Sequence, residues 1–341
     1  MAMKSPVSIA KEWMHRLNVW EYRKNGLLSY SLLCNLLLDG ARDPKGRQLV
    51  YRAVKNRYMA RLRRRYRPVI EAYLKENPGP TLQSSTPPPK NLRTHSNKVW
   101  VCWLQGFENV PDIVKACHAS LLRHLPPDRE LIEITEANLS QYVELPDFVW
   151  ERYRAGRLSM AHLSDLIRVN LLIRYGGTWV DATVFLSDGN LPAAMLDADL
   201  YLPQFCDPLT YYGFGTGFDD RCLAVSNWFI SSCTNNEILL LVRHLVYHNL
   251  RQGKAGDYFI FHYMMQLAFE TYPEQWRRIP FLPAKSAFSL QERLLEPFDA
   301  QTWELMKRGT PMHKLSYKRV GGKTPEPDSF YGKLLAGELD G

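Results

Sequence analysis

The 341-residue chain lacks any apolar run long enough to cross a bilayer. Its most apolar early stretch, residues 27–38, is interrupted by Asn35 and falls well short of the roughly 20 residues that a spanning helix needs. The opening MAMKSPVSIAKEW has no apolar core followed by a small-residue cleavage site, so no secretory signal is expected and a cytoplasmic location is the default. Cysteine is sparse. The six, at 34, 102, 117, 206, 222 and 233, never approach the CxxC or Cys/His spacings of a zinc site, and a chain this long needs no disulfide scaffold, so reduced thiols are expected. GxGxxG and GxxxxGK[ST] phosphate loops are absent, as are internal repeats, which argues against those nucleotide-binding motifs and against a solenoid.

Acids are scarce in one place. Between Ala41 and Glu76 twelve Lys or Arg face three acids, more positive charge than the net +8 of the whole chain. A basic helix over 51–66 suits an anionic membrane face, an acidic partner or nucleic acid, and it equally suits a plain solvated face. The Pro/Ser-rich stretch 77–90 that follows cannot form regular structure. The expected organisation is therefore a helical basic extension over 1–76, a linker over 77–97 and a main domain over 98–341.

With 45% hydrophobic and 12% aromatic residues, that domain can bury a sizeable core. ValTrpValCysTrpLeu from Val99 reads as a buried strand, Pro111 to Leu125 as a helix ended by two prolines, and LeuIleGluIle at 131–134 as the next strand. Strand, helix, strand predicts an α/β fold with a mostly parallel central sheet.

The residues HLSDLIRVNLLIRYGGTWVDATVF, 162–185, pose the functional question. A helix from Met160 to Tyr175, stopped by Gly176, is apolar on most faces, yet Ser164, Asp165 and Arg168 share one stripe because positions three and four apart are neighbours. Burying such charges costs several kcal/mol each unless they are paired. After the glycines a strand starts, and Asp181 falls at its carboxyl end, where open α/β sheets bind ligands. The helix pair alone is also consistent with an Asp165–Arg168 bridge closed on itself.

Taken together, SerAsp-x-x-Arg, TyrGlyGly-x-Trp and Asp-x-Thr resemble the glycosyltransferase clan with the DxD sugar-binding motif (glycosyltransferase family 32-like), most closely its capsular polysaccharide synthesis branch. The resemblance covers about 98–320. It implies a GT-A-like nucleotide-sugar-binding fold and a hexosyltransferase-type enzyme that passes a sugar from a nucleotide-sugar donor to a growing capsular polysaccharide or lipid-linked glycan. It further implies donor contacts at Asp165, Arg168 and Asn227, a nucleobase stacked on Trp103, and a diphosphate or metal contact from a His or Lys of the 313–318 segment, with His313 and Lys318 as the candidates; His313, Lys314 and Lys318 equally suit a surface basic cluster. A divalent Mn2+ or Mg2+ is expected on Asp181, with Thr183 standing at the second acid of DxD. The same chemistry stands on its own terms: a carboxylate and a guanidinium grip sugar hydroxyls, and a hard cation or a Lys/Arg stabilises the departing diphosphate. Asp257 is the candidate general base, and it could equally cap the helix that follows. Expected partners are the donor, the glycan acceptor and an anionic membrane surface, which would make the protein peripheral on the inner face of the membrane. A non-catalytic sugar-nucleotide or glycan-binding protein is the alternative. A nucleic-acid-binding role would leave Asp165, Arg168 and Asp181 without a purpose.

Overall fold

A computed structural model describes residues 44–77, 93–205, 224–252, 259–280, 285–320 and 325–339. Helix α1 spans Pro44–Glu76. Strands β1 (Lys98–Cys102), β2 (Glu130–Ile134), β3 (Gly177–Val180), β5 (Leu200–Tyr201) and β8 (Phe229–Ser232) form one sheet in the order β2-β1-β3-β8-β5. β1 is parallel to both β2 and β3, and β8 is antiparallel to both β3 and β5, so the sheet is mostly parallel with one reversed strand. Two further ladders pair β4 (Val184–Leu186) with β9 (Met312–Lys314), and β6 (Gln204–Phe205) with β7 (Ala224–Val225).

Alternation along β1 divides the core between the two faces of the sheet. Trp100 joins a cluster with helices α3 (Met160–Tyr175), α4 (Glu237–Arg251) and α5 (Ile260–Thr271), whereas Val99 and Val101 join one with Val180, Phe229 and helix α2 (Asp112–His124). α3 ends where expected. Gly176 takes φ 66°, its N–H is received by Leu172 O, and its carbonyl accepts Trp100 Nε1 at 2.9 Å. Gly177 follows at φ 88°, and a Cβ there would sit 2.2 Å from Lys98 O. Only glycine lets β3 lie this close to β1.

The described part of the basic extension, α1, packs on the main core. Met59, Leu62, Tyr66 and Tyr73 are buried in the same cluster as α3 and α4, and Tyr66 donates its hydroxyl to Asn249 Oδ1 at 2.8 Å. Arg63 grips Glu270 with two bonds of 2.8 and 2.6 Å. The basic face, with Arg64, Arg67 and Lys75 exposed, belongs to a helix whose other face completes the main core. Among the described residues no helix is long and apolar enough to cross a membrane.

Candidate functional site

Asp181 follows β3 directly and its N–H is held by Trp228 O at 2.8 Å. α3 runs antiparallel to β3, which brings its first turns back to the carboxyl edge of the sheet. Arg168 is thereby set among three segments: Nη2 reaches Asp181 Oδ1 at 3.2 Å and Ser164 Oγ at 3.3 Å, and Nη1 reaches Asn227 O at 2.5 Å. Its guanidinium lies 4.9 Å from the centre of the Trp179 ring, and Trp179 donates Nε1–H to Asp181 Oδ1 at 2.9 Å. Asn227 donates to Asp165 Oδ1 at 2.8 Å, and Asp165 lies 3.4 Å from Arg168 Nη1. The helix pair therefore does not close on itself, because Arg168 is shared with Asp181.

The two acids diverge in electrostatics. Burial, reinforced by the charge of Asp181 and opposed by Arg168 and the Asn227 hydrogen bond, pushes the Asp165 carboxyl up to about 7. Burial also works against ionisation of Asp181, but Lys314 first, then Arg168 and the hydrogen bonds from Trp179 and Lys314, outweigh it and hold the carboxyl below its usual value. One acid is thus poised near neutrality and the other is a fixed anion.

Of the three basic residues in the 313–318 segment, Lys314 is the one that reaches Asp181. It stands on β9, opposite Val184, and its Nζ donates to Asp181 Oδ2 at 3.0 Å and to Thr183 Oγ1. Strand alternation is the signal that could have found it: side chains at 313 and 314 must face opposite ways. His313 is the one turned inward. It is fully buried against Trp303, with Nε2 3.2 Å from Ser187 Oγ, and burial lowers its pKa to about 3. The metal or diphosphate contact expected of His313 therefore has no geometric basis.

A divalent ion at a diphosphate takes one or two free carboxylates from the protein and its other oxygens from water and phosphate. Among the described residues no group of three or more His, Cys, Asp or Glu side chains could hold a metal ion. Both Asp181 oxygens are already engaged, and Thr183 offers a neutral hydroxyl that Lys314 also takes. The described residues at Asp181 do not fit such an ion.

Trp103 follows β1 at the same edge and packs edge-on against Tyr317, with ring centres 5.8 Å apart. Lys318 is exposed, with Nζ 5.9 Å from the Tyr317 ring centre. Asp257 lies outside the described residues. A cavity of about 580 Å³ is lined by segments after β1 and β2 and by α3, including Leu104, Leu139, Trp150 and Leu163.

The model of the capsular polysaccharide synthesis protein family matches residues 51–334. The chain belongs to this family. Family membership takes in the C-terminal part of α1 as well as the sheet, in keeping with their common core. Among characterised proteins the chain is similar to the glycosyltransferase afumC of Aspergillus fumigatus, 33% identical over 99 residues, covering 27% of this chain and 25% of that one. It is also similar to the O-glycosyltransferase braB of Annulohypoxylon truncatum, 32% identical over 101 residues, covering 27% and 24%. These matches span about a quarter of each relative. Among solved structures, PaToxG Glycosyltransferase superposes with a TM-score of 0.37 and 16% identity, covering 52% of this chain and 70% of that one.

Proposed function

We propose that the protein is a hexosyltransferase-type glycosyltransferase with a GT-A-like site, moving a sugar from a nucleoside diphosphate sugar to a hydroxyl of a surface polysaccharide or lipid-linked glycan. The observation that carries this reading is the convergence of Asp165, Arg168, Asp181 and Asn227, from three separate segments, at the carboxyl edge of the sheet. Family membership and the names of the curated relatives support the class of reaction. In this reading Asp165, Arg168 and Asn227 hold hydroxyls of the donor sugar, which a carboxyl, a guanidinium and an amide can do together with defined geometry. Trp103, braced by Tyr317, is the platform for the nucleobase, and exposed Lys318 flanks the diphosphate. The 580 Å³ cavity beside α3 is the approach for the acceptor, and its aliphatic and aromatic walls suit the hydrophobic part of a lipid-linked glycan.

The test is release of nucleoside diphosphate from a panel of nucleotide sugars, with and without acceptor glycans. Asp181→Asn preserves shape while removing the charge that orders Arg168 and Lys314, so turnover should fall by roughly 10²–10³ with the fold retained. Near-parental turnover in the folded variant would defeat this reading. The neutral Thr183 in place of a second acid favours a second reading, a sugar-nucleotide-binding protein without turnover. Tight donor binding with no product release would select it.

A further inference from the structure

We propose that Lys314 is the protein's own cation for the departing diphosphate, taking the position that a metal ion held by residues 181 and 183 would have to occupy, so that sugar transfer needs no divalent ion. The inference rests on the glycosyltransferase reading above. Its basis is the position of one ammonium: Nζ lies 3.0 Å from Asp181 Oδ2 and also bonds Thr183 Oγ1, bridging the two side chains of the Asp-x-Thr turn. That position is built into the backbone. β4 and β9 pair Val184 with Lys314, and Leu315 N–H donates to Thr183 O at 2.8 Å. Residues 183 and 314 are therefore held together by main chain as well as by side chains.

Charge counting explains why residue 183 is neutral. Two cations, Arg168 and Lys314, flank Asp181, while Asp165 ionises only near pH 7. A second carboxylate at 183 would neutralise the ammonium, whereas a hydroxyl holds it in place and leaves positive charge available. Lys314 is largely shielded, with 17% of its side chain exposed, and a fixed ammonium in such a setting attracts an anion more strongly than one in open solvent. In the transfer, the bond between sugar C1 and the diphosphate oxygen breaks and its electron pair leaves with that oxygen. The acceptor hydroxyl forms the new bond to C1 and gives its proton to solvent. The nucleoside diphosphate departs with one more negative charge, which the Lys314 ammonium meets by hydrogen bond.

Calorimetric titration of the full chain with pyrophosphate, UDP, GDP, CDP and ADP, in EDTA and then in manganese chloride, tests this directly. At least one nucleoside diphosphate should bind in EDTA, with manganese changing its affinity by less than about threefold. Lys314→Met, close in volume and uncharged, should weaken that binding by about tenfold or more while leaving affinity for the parent nucleoside unchanged, and Lys314→Arg should recover part of the loss. A double variant, Thr183→Asp with Lys314→Ser, should bind the diphosphate only when manganese is present. Binding that requires manganese in the parent chain overturns the inference but leaves the donor site standing, as does unchanged diphosphate affinity in a folded Lys314→Met. Failure of every nucleoside diphosphate under both conditions overturns the donor site and this inference with it.

Discussion

Two carboxyl groups a few ångströms from one guanidinium have been driven to opposite states, and the difference has a consequence in solution. Asp165 ionises near 7 in the folded chain against an ordinary value of 3.8. As pH rises, the unfolded chain therefore gives up this proton first. The neutral carboxyl's contribution to stability is fully present below about pH 4 and is lost by about pH 7, an effect of at most a few kcal/mol. Asp165→Asn has no such proton, so its stability relative to the parent should improve steadily across that window. Urea unfolding at pH 4.5 and pH 7.5 measures it, and a constant difference between the two proteins would place Asp165 ionisation outside that range. The site was partly legible at this scale. Asp165, Arg168 and Asp181 stood out as candidates because each is a charge in an apolar setting, and the three lie together. Which of His313, Lys314 and Lys318 would face Asp181 was not legible, because all three look equally basic in sequence and only pairing across 131 residues of chain puts Lys314 beside Thr183.

At the scale of elements, α3 with its glycine stop, β1, β2 and the position of Asp181 all followed from local pattern, since caps, prolines and apolar runs act over a few residues. The β4–β9 pairing and the seating of α1 depend on contacts distant in sequence, which local pattern does not encode. The turn after α3 gives a sharp test. Gly156 and Gly177 both have positive φ, but a Cβ at 156 meets nothing within 4 Å, whereas one at 177 would strike Lys98 O at 2.2 Å. Gly156→Ala should cost about 1–2 kcal/mol from backbone conformation alone. Gly177→Ala must also push β3 off β1, so it should melt lower than Gly156→Ala and lose donor binding through displacement of Asp181. Equal melting temperatures for the two would show that the strands yield without penalty.

For the molecule as a whole, the basic helix raises the question of location. We propose that its outer face brings the enzyme to an anionic membrane, where a lipid-linked acceptor would be met. Removing the helix is a poor test, because Met59, Leu62, Tyr66 and Tyr73 would leave the core with it. Charge reversal of the exposed Arg64, Arg67 and Lys75 to Glu spares that core. Co-sedimentation with phosphatidylserine-containing liposomes should be strong for the parent at low salt, fall as salt rises, and be largely lost in the triple variant while its melting temperature stays near the parent's. Parent protein that stays in the supernatant at low salt would rule this out.

The three-residue strand β9 also bears on how this sequence can vary. His313 requires a dry, neutral setting beside Trp303, and Lys314 requires the charged one beside Asp181. The two demands are adjacent and opposite, so shifting the strand by one position would exchange them, driving an ammonium into the aromatic core and turning an imidazole toward the carboxylate. The segment should therefore accept almost no single-residue insertion or deletion between Met312 and Leu315, both of which are buried. Its alignment among relatives would be expected to be gap-free even where residue identities drift.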